Sequence, residues 1–87
     1  MLAVFEVYLA PNAEASELLS AETIRSTQAQ VMTLDEAKKV GFGGLPEPPP
    51  GKNVVLVAVA RRDAPWIHRA LERSEAAGGF RMHEVDV

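Results

Sequence analysis

In "NVVLVAVA", residues 53 to 60, positions 54 to 60 run apolar on both faces without a break, and this stretch most constrains the fold. Seven such residues with three valines in alternation form a strand rather than a helix. A strand with no polar face belongs in the centre of a sheet, covered on both sides. The chain must therefore supply flanking strands and at least one helical layer. It has only 87 residues in which to do so, enough for one domain and one modest core.

The other segments supply those parts. "LAVFEVYLA" alternates, with Ala3, Phe5, Val7 and Leu9 on one face and Leu2, Val4, Glu6 and Tyr8 on the other, and Pro11-Asn12 ends it. Because Glu6 interrupts its apolar run and no basic segment precedes it, the stretch reads as a strand and not a signal peptide. "NAEASELLSAE" predicts a helix capped by Asn12, with Ala15, Leu18, Leu19 and Glu22 on one side. Ile24 falls off that stripe, so the helix is expected to end near Ala21 and "TIRSTQAQVMT" to be a polar edge strand, although Gln and Ala would also suit a longer helix. "TLDEAKKVG" is a helix of about two turns, with Thr33 and Glu36 at capping-box spacing, Lys38 and Lys39 at its negative end and Gly41 as its stop.

"GFGGLPEPPPGKN" carries four glycines and four prolines in thirteen residues and is a loop by composition. After the central strand, "DAPWIHRALERSEAAGG" predicts a helix capped by Asp63, with Pro65 in its first turn and Gly78 and Gly79 past its end. Its inward stripe is expected to run through Trp66, Ala70, Ser74, Ala77, Ile67 and Leu71, with His68, Glu72 and Glu75 opposite. "FRMHEVDV" closes the chain as a strand, Phe80 and Met82 facing one way and Arg81, His83, Val85 and Val87 the other.

The order β-α-β, short helix and loop, β-α-β predicts an α+β fold resembling the ferredoxin-like (split βαβ) plan in architecture. That plan is a four-stranded antiparallel sheet in the order 4-1-3-2, with two helices on one face and the extra helix and loop between strands 2 and 3. The second face is expected to be open, exposing Leu2, Val4, Glu6 and Tyr8 beside one row of the central strand. An apolar patch of about 400 Å² there calls for a cover, and at about 25 cal/mol/Å² covering it is worth roughly 10 kcal/mol before entropic costs. A second copy, packed face to face or along a strand edge, is the expected cover, with the loop folding back as a lid the alternative.

Charge and composition remove several function classes. There is no cysteine, which excludes disulfides and Cys-ligated zinc and suits a reducing cytoplasm, so oligomerisation is the remaining route to stability for a chain this small. Net charge is −3 with no basic stripe, which disfavours nucleic acid. No apolar run approaches the roughly 18 residues of a membrane span. Neither "GFGG" nor "PGKN" has the context of a phosphate loop, no serine sits in a nucleophile elbow, and no C-x-x-C is present.

The candidate site residues follow from placement. Glu6 lies on the first strand, which pairs with the last, so Arg81 or His83 is expected opposite it. Two readings compete: an ordinary ion pair, or a general acid or base in an apolar cleft, its pKa raised by desolvation and its proton relay completed by Tyr8 and His83. Arg61 and Arg62 precede a helix start that could attract an anion, although Asp63 already occupies the cap. His68 and Glu72 share a helical face, but two ligands do not make a metal site, and neither metal nor cofactor is expected. Val4, Phe42 and Leu45 are expected to pack at an interface, leaving Glu47, Pro48, Pro49 and Pro50 exposed for a partner.

The function expected is that of a small homodimeric binding module acting through the open sheet face or the Pro-rich loop on a protein partner or small ligand. The alternative is a cofactor-independent enzyme of isomerase or small-oxygenase type, with a pocket over that face.

Overall fold

The structure, a computed structural model, describes residues 1–41 and 53–85. Phe42, Leu45, Glu47, Pro48, Pro49 and Pro50, expected to form an interaction surface, lie outside the described residues. Four strands, β1 (Leu2–Leu9), β2 (Gln30–Thr33), β3 (Val54–Ala60) and β4 (Ala77–Val85), form one antiparallel sheet in the order β2-β3-β1-β4. Three helices accompany it, α1 (Ala21–Thr27), α2 (Leu34–Lys39) and α3 (Ala64–Arg73). The fold is α+β, and the strand order is the one the residue pattern predicts. No described helix is long and apolar enough to cross a membrane.

Strand alternation divides the buried residues into two layers. Ala3, Phe5 and Val7 of β1 and Val55, Val57 and Val59 of β3 face α3, whose Ala64, Ile67 and Leu71 are buried against them together with Leu18 and Leu19. The intervening positions, Val4, Leu56 and Ala58, face the other way and pack with Met32 and Ala37. Ala37 belongs to α2, so the short helix covers the second face on its β2–β3 side. The expectation of an open face is thereby corrected. Val4, expected at an interface, is 0% exposed, packed in one cluster with Met32, Ala37, Leu56 and Ala58.

The first helical segment differs from its prediction. Asn12 does not cap a helix but takes a positive φ of 65°, and residues Ala15–Glu17 form only a 3-10 turn. The α-helix begins at Ala21, where the Ser20 side chain accepts from the Thr23 amide at 3.1 Å. A local hydroxyl-to-amide bond starts the helix later than the apolar pattern implied. Leu18 and Leu19 are buried ahead of it, Ile24 packs against the core, and Gln28 in the left-handed region ends it. The edge strand is accordingly only four residues long. In α2, by contrast, the capping box is present as expected: the Glu36 amide donates to Thr33 Oγ1 at 3.2 Å, and the Thr33 amide donates back to Glu36.

α3 ends at Arg73, one turn early, with Ser74 extended. Gly78 and Gly79, expected past a helix end, lie in β4 instead. A Cβ at Gly78 would stand 3.2 Å from the Tyr8 carbonyl oxygen, so the glycine permits close approach where the β1–β4 register shifts between Tyr8 and Leu9. Trp66, expected inward, is 64% exposed. The buried face centres on Ala64, Ile67 and Leu71, at i, i+3 and i+7, and Trp66 lies one residue round from that line.

Candidate functional site

On the β1–β4 side of the second face, beyond the buried cluster under α2, the sheet carries a polar group of four side chains. Register sets it up: Glu6 pairs with Arg81 across β4 and with Leu56 across β3, while His83 pairs with Val4 one step away. Tyr8 follows Glu6 by two residues and so shares its face. Glu6 is 2% exposed, and its carboxylate accepts three hydrogen bonds. The Tyr8 hydroxyl and Arg81 Nη2 donate to Oε2, the latter at 3.1 Å, and His83 Nε2 donates to Oε1 at 3.1 Å. Arg81 reaches in from outside with its side chain 50% exposed.

These donors decide the ionisation of Glu6. Burial is the largest single influence and disfavours the charged form, but the bonds from Tyr8, Arg81 and His83 and the Arg81 charge together outweigh it, and the carboxyl pKa lies below its ordinary value. The pKa of a desolvated acid shifted toward neutrality, one expectation from sequence, is therefore corrected. The same bond to Glu6 raises the Tyr8 pKa, since a phenolate beside a carboxylate would lose a donor and gain a repulsion. Arg81 is held more firmly protonated for the corresponding reason. At neutral pH the group is a carboxylate saturated by donors, suited to locking β1 and β4 together and unsuited to giving up a proton.

Three of the residues singled out from sequence, Glu6, Tyr8 and His83, are thus brought together, and Arg81 completes them. The arginines before α3 face carboxylates of this chain: Arg61 pairs with Glu84 at 3.2 Å and Arg62 with Asp63 at 3.8 Å. Asp63 precedes the helix without a side-chain capping bond. His68 bonds Glu72 at 2.8 Å and meets the Phe80 ring edge-on at 5.1 Å. Among the described residues no group of three or more His, Asp or Glu could hold a metal.

Three surface clefts lie elsewhere. One of about 490 Å³ runs between α1 and α3, lined among others by Thr23, Ser26, Trp66, Arg69 and Arg73. A second, of about 450 Å³, joins Ser20 and Thr23 to Arg73 and Ser74, and a third, of about 340 Å³, lies beside β2 and Val40. None of these three is lined by Glu6, Tyr8 or His83. The α1–α3 cleft was missed in the sequence because Trp66 was assigned to the core. The signal available was the spacing of Trp66, Arg69 and Arg73 at i, i+3 and i+7.

Comparison with protein-family models, with characterised proteins and with solved structures gives no match for this chain.

Proposed function

We propose that the chain is a small ferredoxin-like binding module that acts as a homodimer, the β4 edges of two copies pairing antiparallel into one continuous sheet. The observation that carries this reading is the inequality of the two sheet edges. β2 has four residues and runs directly into α2, the short, interrupted form in which edge strands avoid unwanted pairing. β4 has nine residues and no proline, pairs only with β1 among the described residues, and presents Met82 at 45% exposure. A long edge free of proline is a template for another strand. A two-fold axis closes that contact between identical copies, and association adds the stability that a cysteine-free chain of this size needs. The ligand beyond the second copy is a protein or small molecule, the acidic balance disfavouring nucleic acid, and the lack of cysteine suits a reducing cytoplasm.

Sedimentation velocity at micromolar concentration tests the reading. The expected species is a dimer, and Met82→Lys, which sets two like charges across the paired edges, is expected to yield monomer with unchanged secondary structure. A wild-type monomer sinks the homodimer; a Met82→Lys dimer moves the interface away from β4. The alternative, a cofactor-independent enzyme using Glu6, Tyr8 and His83, draws support from the contact among the three. It is weakened by the low Glu6 pKa and by the absence of these residues from the three clefts.

A further inference from the structure

The cleft between α1 and α3 has chemically unlike walls. On α3, Trp66, Arg69 and Arg73 share one face, and the Arg69 guanidinium lies 5.9 Å from the centre of the Trp66 ring. Arg61, Arg62 and Arg81 each stand within ion-pair distance of a carboxylate, whereas neither Arg69 nor Arg73 does among the described residues. This wall offers an indole face and two guanidiniums with donors to spare.

On α1 Ser26 and Glu22 accept. The Ser26 hydroxyl spends its proton on the Glu22 carbonyl at 2.9 Å, leaving lone pairs free. Thr23 Oγ1 takes a bond from Ser20 at 2.9 Å, and the Glu22 carboxylate stands in the same lining. The helices run in opposite senses, since Ser20 and Thr23 at the start of α1 share the second cleft with Arg73 and Ser74 at the end of α3. At about 490 Å³ the cleft is in the range that holds small molecules. Charged and hydroxyl-bearing walls set it apart from the apolar centre of a protein interface.

We propose that this cleft binds a small aromatic anion. The ring lies against Trp66, a carboxylate takes the guanidiniums of Arg69 and Arg73, and a hydroxyl or N–H on the far edge of the ring donates to Ser26 or Glu22. Glu22 and Asp63, both in the lining, restrict the ligand to a single negative charge. The site shares no residue with the β4 edge, so it stands or falls separately from the homodimer.

Trp66 is the sole tryptophan, and its indole N–H gives one resolved signal in a proton–nitrogen correlation spectrum. Titration with 4-hydroxyphenylacetate is expected to shift that signal and the Thr23 and Ser26 amides saturably, with a Kd of about 1 mM or tighter. The neutral 4-hydroxyphenylacetamide, and the variants Arg69→Gln and Arg73→Gln titrated with the acid, are expected to bind about tenfold more weakly, the loss of a charged hydrogen bond. Lys38→Gln, on α2 and outside the lining, is expected to bind as wild type. Peak dispersion in each spectrum reports folding. The proposal is overturned by acid and amide binding alike, by arginine variants that bind as wild type, by no saturable shift, or by shifts that follow protein concentration without ligand, which would mark a second copy in the cleft.

Discussion

Glu6 holds a negative charge where water is nearly excluded, and three side chains take the place of solvent. Removing the charge leaves Arg81 and His83 aimed at a weaker acceptor, so Glu6→Gln is expected to lose about 1–3 kcal/mol, the range for a hydrogen-bonded charged group. Its carboxyl binds a proton more weakly in the folded chain than in the unfolded one. The contribution of Glu6 is therefore fully present above the ordinary value of 4.5 and is lost as pH falls through the lower folded value. Tyr8, with its pKa raised, works in the opposite sense: its contribution is complete below its ordinary value of 10.0 and is lost as pH rises through the folded value. Urea denaturation of wild type and Glu6→Gln should show the full difference at neutral pH and a much smaller one in acid. An equal difference at both would mean that the ionised form is not the one bound.

At the scale of the element, α3 is the sharpest case, because its three large apolar positions have opposite fates. Leu71 and Ile67 are buried while Trp66 is mostly exposed, so size and hydrophobicity alone misassign the helix face. Leu71→Ala should cost about 2–5 kcal/mol, the transfer term plus the cavity it leaves. Trp66→Ala should change stability by less than about 0.5 kcal/mol, as exposed substitutions do. Denaturant midpoints for the two variants check the assignment, and the reverse ranking would rotate the helix. α1 teaches the complementary lesson. Its start was set by Ser20 and its end by a left-handed Gln28, and neither choice is visible in the spacing of its apolar residues.

For the whole molecule, the consequence of a dimer is linkage between association and folding. If two β4 edges pair only in the folded state, the melting temperature must rise with protein concentration, since mass action stabilises the associated form. Over a hundredfold range of concentration the wild type is expected to show a clear upward drift, and Met82→Lys none. A wild-type melting temperature independent of concentration contradicts the dimer even where sedimentation is ambiguous.

The identity of β1, β3 and β4, the strand order and the pairing of Glu6 with β4 were legible in the sequence, because two-residue alternation and the apolar run at Val54–Ala60 specify which strand is central and which residues share a face; the edge strand was not, since Thr23–Thr27 of the stretch expected to be extended is helical. The capping box at Thr33 and Glu36 was legible for a similar reason, being a contact between near neighbours. Three things were decided only by the tertiary structure. Whether the second face stayed open depended on where α2 packed, a long-range clustering of Ala37 with Met32, Leu56, Ala58 and Val4 that no local spacing encodes. The end of α3 turned on the long-range β1–β4 register, and the start of α1 on a Ser20 cap that apolar spacing does not show. The ionisation of Glu6 depended on how many donors converged on it. Sequence alone suggested a desolvated acid or an ion pair, and the folded sheet, by bringing Tyr8, Arg81 and His83 to one carboxylate, made the sum of their bonds exceed the penalty of burial.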